Sequence, residues 1–280
     1  MKHNRPSRTA QFVALGRALA DAGFSHVPEF RDPTARVFLT EKGKRNLAKA
    51  EQAAQNPRRS FGMARVSAWA DLIALRTAVI DSAVREAIAG GAKQFVILGA
   101  GYDGRAWRMP ELSGVKVFEV DHPATQREKQ KHLDMLPPAT GEIFFVPMDF
   151  AGQSLDAALE VAGHNRSLPT CWLWEGVVMY LTHEAVRSTL VNIAGRSAPA
   201  STLIVNYHTA HRRFVAKLIL RLIGEPQISS WSPEEMAALL RSVGFVVQQD
   251  SGMADWNSQF AQSKAKVERA PYMRVAVARV

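Results

Sequence analysis

The chain has 280 residues, 47% of them hydrophobic, enough to bury one sizeable core as a single large domain or as a domain with a cap. Its 35 Lys and Arg against 26 Asp and Glu leave a net charge of +9, and one cysteine, Cys171, excludes an intrachain disulfide and an all-cysteine metal site. No run approaches the roughly 18 apolar residues that a bilayer-spanning helix needs. The charge is uneven, because residues 1–60 hold 12 Lys and Arg against 5 Asp and Glu. An acidic partner, nucleic acid included, and a merely solvated basic surface both account for that bias. The basic N-terminus also lacks the apolar stretch of a signal peptide. A cytoplasmic protein with no membrane attachment and no resident metal is expected.

Gln11–Ala22 carries Phe12, Leu15, Leu19 and Ala22 at helical spacing and stops at Gly23, with Arg17 on the same helix. Asp32-Pro33 marks a turn into a second short helix. Residues 42–59 are highly charged and read as exposed. From Trp69 to Ala89, an apolar stripe (Trp69, Leu72, Ile73, Ile80, Ala83, Val84, Ala87, Ile88) predicts a helix closed by Gly90-Gly91. Arg76 lies inside that stripe. A buried guanidinium needs an anion, since an uncompensated buried charge costs about 3–5 kcal/mol. Two sources are open: a structural partner such as Asp81 or Glu86, or a ligand carboxylate gripped bidentately.

Phe95–Leu98 is a short apolar run that ends in Gly99-x-Gly101-x-x-Gly104. That is the form of a buried parallel strand turning over a ligand, with glycines letting backbone approach a nucleotide. A tight strand-to-helix turn without a ligand has the same form. Val115–Val120 reads as the next strand, with Glu119 and Asp121 lying 20 and 22 residues beyond Gly99. An acid at that distance is placed for ribose hydroxyls, the other reading being a surface acid at a strand end. A charged helix (124–133) leads to a third strand, Ile143–Val146, and then to Asp149-Phe150. Those two could hold an exocyclic amine and cover a purine ring, or Asp149 could cap the following helix.

The fourth strand, Thr170–Trp174, releases Glu175 at its C-terminal end, and Thr182 is placed to cap a helix running to about Gly195. The fifth strand, Thr202–Asn206, leads to Tyr207, His208 and His211 and then to an amphipathic helix over 212–223. Ser232-Pro233-Glu234-Glu235 is a capping box, and the helix it starts stops at Gly244. Phe245–Gln249 and Met273–Val280 close the sheet, as an antiparallel pair. Strand–helix alternation of this kind implies a doubly wound α/β sheet with its site along the strand C-termini.

Two cofactors suit a glycine turn followed by a ribose-binding acid. A nicotinamide dinucleotide, the cofactor of an NAD(P)-dependent oxidoreductase, brings a pyrophosphate that tolerates few acids nearby. S-adenosylmethionine brings adenine, ribose, sulfonium, ammonium and carboxylate, and wants several acids with at least one cation. Glu119 or Asp121, Asp149 and Glu175, set against Arg76, suit the second better. No Tyr-x-x-x-Lys signature of a dehydrogenase is present. A basic non-enzymatic binding module is a third possibility, but nucleic-acid-binding signatures and aromatics interleaved with the basic run are lacking.

The segments LGAGYDGRAWRM (98–109), FEVDHP (118–123) and WEGVVMYL (174–181), in that order, resemble the leucine carboxyl methyltransferase family. The likeness is greatest to its bacterial branch of S-adenosylmethionine-dependent O-methyltransferases, and TAQFVALGRALA (9–20), RDPTARVFL (31–39) and LRTAVID (75–81) fit that branch too. The resemblance implies a Rossmann-like class I methyltransferase fold, a doubly wound, mostly parallel seven-stranded sheet. It also implies a helical cap over residues 1–68, a cofactor domain over 69–280 and an acceptor-binding insertion near 207–230. Carried over by position, Arg76 would hold the methionine carboxylate with Arg17 as a second cation, and Gly99, Ala100 and Gly101 would line the cofactor. Asp121 would bind the ribose, Asp149 and Phe150 would meet the adenine, and Glu175 would lie at the methionine end. The expected acceptor is a small molecule, with Tyr180 on its wall. A phenol or alcohol acceptor would benefit from a base, for which His208 and His211 are the candidates, unless both are exposed loop histidines.

Overall fold

A computed structural model describes residues 7–28, 30–55, 60–149, 153–210, 228–261 and 272–280. Seven strands form one sheet: β1 (Gln94–Leu98), β2 (Lys116–Asp121), β3 (Glu142–Pro147), β4 (Thr170–Trp174), β5 (Thr202–His208), β6 (Val246–Gly252) and β7 (Met273–Arg279). Their spatial order is β3-β2-β1-β4-β5-β7-β6. The first five are parallel, and β7 runs antiparallel to both β5 and β6. The chain therefore winds outward from β1 to β3, returns to β4 beside β1, and winds outward again. That reversal opens a crevice at the C-terminal ends of β1 and β4, where open α/β sheets take their ligands.

The helices are α1 (Arg8–Leu19), α2 (Pro33–Val37), α3 (Glu41–Ala54), α4 (Ser60–Ala89), α5 (Arg105–Arg108), α6 (Pro123–Gln130), α7 (Leu155–Val161), α8 (His183–Gly195), α9 (Pro233–Ser242) and α10 (Met253–Phe260). Local chemistry starts several of them. Thr182 accepts a hydrogen bond from Ala185 N at α8, and Ser232 and Glu235 form the reciprocal capping box of α9. Asp32 caps α2 through Ala35 N. α1 runs into a π-helical turn, Ala20–Phe24, that ends where Gly23 takes a φ of 86°.

Alternating strand residues feed two cores. Ile97, Val117, Leu173 and Ile204 face one layer with Ala14, Phe38, Ile80, Val84 and Trp256. Val96, Leu98, Phe118, Trp172 and Leu203 face the other, against Leu190, Ile193, Met236 and Leu240. A register slip of one residue would exchange these faces, so the pattern pins the strands. The N-terminal helices share the first core with the sheet; α1 and α3 pack on α4, and α2 on α1 and α5.

Four local expectations change. The helix expected from Trp69 begins at Ser60; Gly62, Ala64 and Arg65 are exposed and Met63 and Val66 only partly buried, so this part carries no apolar stripe to read. The charged stretch 42–59 is not exposed throughout, since α3 buries Leu47 and Ala50. Asp149 does not cap the next helix, because Ser154 does, accepting from Ala157 N. α10 is an element the sequence reading lacks; it is too short for a periodic signal and buries only Met253 and Trp256. Among the described residues no helix is long and apolar enough to cross a membrane. Phe150, His211 and the segment 212–223 lie outside the described residues.

Candidate functional site

Strand register brings the key residues together. Leu98 of β1 pairs with Val120 of β2 and with Trp174 of β4. Gly99, Asp121 and Glu175 therefore leave three neighbouring strands at the same level. Gly99 N and Ala100 N donate to Val120 O at 2.8 and 3.1 Å, which bends the glycine turn across the end of β2. Gly99 and Gly101 have φ of 70° and 52°, a region costly for other residues. Asp121 braces the turn: Oδ2 accepts from Gly101 N, and Oδ1 from His122 N at 2.5 Å. Burial raises the Asp121 pKa, opposed by those two backbone donors.

The three glycines also answer to protein neighbours. A Cβ on Gly99 would overlap Val177 Cγ2, one on Gly101 would lie 3.2 Å from Ala10 Cβ, and one on Gly104 would overlap Thr34 Oγ1. The first of these neighbours belongs to the segment after β4, and the other two to the N-terminal helices. The fingerprint spacing thus reflects close approach of chain to chain as well as room above the turn.

Arg76 is 5% exposed, and its Nη2 lies 2.8 Å from Glu175 Oε1. Of the partners open to it in sequence, Asp81 and Glu86, neither is used. Glu86 is exposed and accepts from Ser82 Oγ. Asp81 accepts from Arg105 Nε at 2.7 Å and from Arg108 Nη1 and Nη2 at 2.6 and 3.1 Å. Arg105 Nη1 continues to Asp103 and to Glu175 Oε2, the latter at 3.0 Å. On the other side, Asp32 Oδ2 lies 3.6 Å from Arg108 Nε and 3.4 Å from Arg17 Nε. Arg17 Nη2 donates to Tyr102 O in the glycine turn.

Four arginines and four carboxylates thus alternate from the first helix to the end of β4. Burial raises the Asp81 pKa, but Arg108 and Arg105 outweigh it and hold the group below the usual carboxylate range. Burial works the same way on Asp103, yet Arg105, Arg17 and Lys129 bring it down to about 2. Burial disfavours the charged Arg105, but Asp103, Asp81 and Glu175 push its pKa well above the ordinary value. Asp81 and Asp103 are therefore anionic and Arg105 cationic across neutral pH.

Of the two acids offered for ribose, Glu119 is withdrawn from the site. Lys129 Nζ donates to its Oε2 and to Asp103 O, both at 2.6 Å, with the ammonium 4.9 Å from the Trp107 ring centroid. Asp149 stands half-buried just after β3, with its backbone N–H on Gln153 Oε1 at 2.8 Å. Tyr180 closes a single 3-10 turn, Val178–Tyr180, beyond Glu175. His208 is not an exposed loop residue. It ends β5, partly buried, with its ring edge-on to Tyr272 at 4.9 Å. Sequence reading passed over Arg105, Arg108, Asp103 and Asp32; the signal available was the Asp-x-Arg-x-x-Arg spacing directly after the glycine turn. Among the described residues no cluster of three or more His, Cys, Asp or Glu is arranged to hold a metal ion.

The donor set fits S-adenosylmethionine. Among the described residues Arg76 Nε and Arg105 Nη2 are buried without a hydrogen-bond partner, beside a glycine turn and an acid on each flanking strand. Known proteins agree. The model of the leucine carboxyl methyltransferase family matches residues 10–194. A candidate S-adenosyl-L-methionine-dependent methyltransferase of Frankia alni is 35% identical over 199 residues, 70% of this chain and 66% of its own. Another, from Mycobacterium avium, is 33% identical over 228 residues, 77% of this chain and 71% of its own. The match thus spans about two thirds of these relatives' length. Among solved structures, a candidate methyltransferase from Thermobifida fusca has a TM-score of 0.56 at 15% identity, covering 98% of this chain and 95% of its own. A DUF574 family protein from Streptomyces avermitilis also has a TM-score of 0.56, at 14% identity, covering 94% and 96%. At such identities the likeness speaks for the fold, and the fold is that of class I methyltransferases.

Proposed function

The chain belongs to the leucine carboxyl methyltransferase family, whose cofactor is S-adenosylmethionine, and we propose that it transfers that cofactor's methyl group to a carboxylate or hydroxyl oxygen of a small-molecule acceptor. The observation that carries the reading is the Arg76–Glu175 pair at the end of β4, level with Gly99 and Asp121. A buried arginine facing a carboxylate matches the zwitterionic head of an amino acid, in which carboxylate and ammonium sit on one carbon. Arg76 takes the carboxylate, with Arg17 as a second cation, and Glu175 takes the ammonium. Asp121 accepts from the ribose, Gly99, Ala100 and Gly101 line the cofactor, and Asp149 with Phe150 meets the adenine. The helices before α4 share the core of the cofactor domain and bring Arg17 to the glycine turn, and Tyr180 walls the acceptor.

When bound, the cofactor supplies an electrophilic sulfonium methyl group. The chain's own contribution is to hold the acceptor oxygen in line with it, and alignment of this kind supplies much of the acceleration in a displacement. A carboxylate acceptor is anionic at neutral pH and needs no base. A hydroxyl acceptor would lose its proton to His208, at the end of β5, or to His211.

Isothermal titration with S-adenosylmethionine tests the cofactor site, with binding expected for the wild type and a loss of at least tenfold for Arg76→Ala. Equal binding by both proteins would overturn the assignment. For the oxygen acceptor, a panel of carboxylic acids and phenols is incubated with methyl-labelled cofactor. Label in ester or ether products is expected, and label on nitrogen alone would count against the reading.

A further inference from the structure

Besides Arg76, Glu175 is held by a residue that is none of the cofactor ligands assigned above. Arg105 opens α5 directly after Gly104, and its side chain is 0% exposed. Its planar fork reaches three carboxylates: Asp81 through Nε at 2.7 Å, and Asp103 and Glu175 through Nη1, the latter at 3.0 Å. Glu175 is divided between two arginines, with Oε2 on Arg105 and Oε1 on Arg76. These arginines are differently committed. Each keeps one buried nitrogen without a hydrogen-bond partner among the described residues, Arg105 Nη2 and Arg76 Nε, but Arg105 is tied to three carboxylates and Arg76 to one.

We infer that Arg105 is a positioning residue for the amino-acid end of the cofactor: it holds Glu175 by Oε2, so that Arg76 can exchange Glu175 for the entering carboxylate. This rests on the assignment of Arg76 and Glu175 given above. The amino-acid head brings one negative and one positive group. Arg76 turns its donors to the first, and Glu175 keeps Oε1 for the second while Arg105 fixes its other oxygen. One internal pair becomes two pairs with the ligand, and the local charge balance is kept. With Glu175 held by Arg76 alone, the carboxylate would follow that arginine or lose its orientation. Asp81 completes the device from outside the site. It fixes Arg105 through Nε, and Arg108 holds Asp81 in turn. Lysine would not substitute, because an ammonium lacks the rigid fork that spans Asp81 and Glu175 together.

The test compares two ligands that share adenine, ribose and sulfur. S-adenosylhomocysteine carries the amino-acid head, whereas 5′-methylthioadenosine lacks it. For Arg105→Lys, titration should show S-adenosylhomocysteine weakened at least tenfold and 5′-methylthioadenosine changed by less than twofold. Equal weakening of both ligands would mean a merely structural role and would overturn the inference, as would wild-type affinity for both. Asp81→Asn touches neither ligand and gives a second reading should Arg105→Lys fail to fold. It should weaken S-adenosylhomocysteine about threefold or more, again selectively, and an unselective or absent effect counts against the inference. Arg76→Ala separates the two levels of the argument. If it leaves S-adenosylhomocysteine at wild-type affinity, the cofactor assignment itself fails. If it weakens that ligand selectively and Arg105→Lys does not, only the role of Arg105 fails.

Discussion

Gly104 lies so close to Thr34 that a Cβ on the glycine would overlap the threonine hydroxyl, with Thr34 Cβ only 2.7 Å away. Thr34 belongs to α2, whose N-cap Asp32 accepts from Thr34 Oγ1 at 2.5 Å. Because Thr34 is itself buried, it has nowhere to retreat. Gly104→Ala should therefore destabilise the protein by about 1–3 kcal/mol, the usual cost of overpacking. Thermal denaturation measures this, and Thr34→Gly in the same chain should recover much of the loss. No loss in the single variant would mean that α2 moves freely over the turn.

Asp121 joins the glycine turn to β2 through Gly101 N and His122 N. Removing its carboxylate takes away both the brace and the proposed ribose acceptor, and a hydrogen bond to a charged group is worth about 1.5–3 kcal/mol. Asp121→Ala should weaken S-adenosylhomocysteine and 5′-methylthioadenosine alike, by roughly tenfold to a hundredfold. This differs from the selective loss expected at Arg105. Affinities within twofold of wild type would take Asp121 out of the cofactor site.

Arg108 connects Asp81 to Asp32 and so closes the ion-pair chain between α4 and α2. Removing one partner of a buried array leaves uncompensated charge behind, at about 3–5 kcal/mol. Arg108→Ala should approach that cost in urea denaturation, and Arg108→Met should cost less by refilling the volume. A change under about 0.5 kcal/mol, the range of an ordinary surface substitution, would show the remaining arginines to be sufficient.

Burial pushes Glu119 up to about 7 from the usual 4.5, with Lys129 pulling the other way. Between those two values the folded chain keeps a proton that the unfolded chain has released. The stability this group contributes is therefore full below 4.5 and is lost as pH rises through 7. Comparing wild type with Glu119→Gln at pH ~5 and ~8, the wild type should lose on the order of 1–3 kcal/mol relative to the variant. A shift in the wild type's favour would show that the Lys129 pair dominates.

Much of the scaffold was readable locally. Phe95–Leu98, Thr170–Trp174, the Thr182 cap and the Ser232 capping box each announce themselves within a few residues, because strand burial and helix capping are short-range. Gly99, Asp121, Asp149 and Glu175 were legible as strand-end residues for the same reason. The early start of α4 and the whole of α10 were not, since exposed residues and a helix that buries only two side chains leave no periodic pattern. Arg76 was legible as a buried charge in need of an anion, but its partner was not.

Sequence alone determined the chain order of the strands and the residues delivered to the strand C-termini, because backbone hydrogen bonding and side-chain alternation act over a few positions. Only the tertiary structure decided how the charges divide. Arg105 meets Asp81 across 24 residues and Glu175 across 70, and no local rule chooses among so many acids and arginines. Packing of α4, α5 and β4 against one another does, since a buried ion has to take the partner that the fold places within hydrogen-bonding reach.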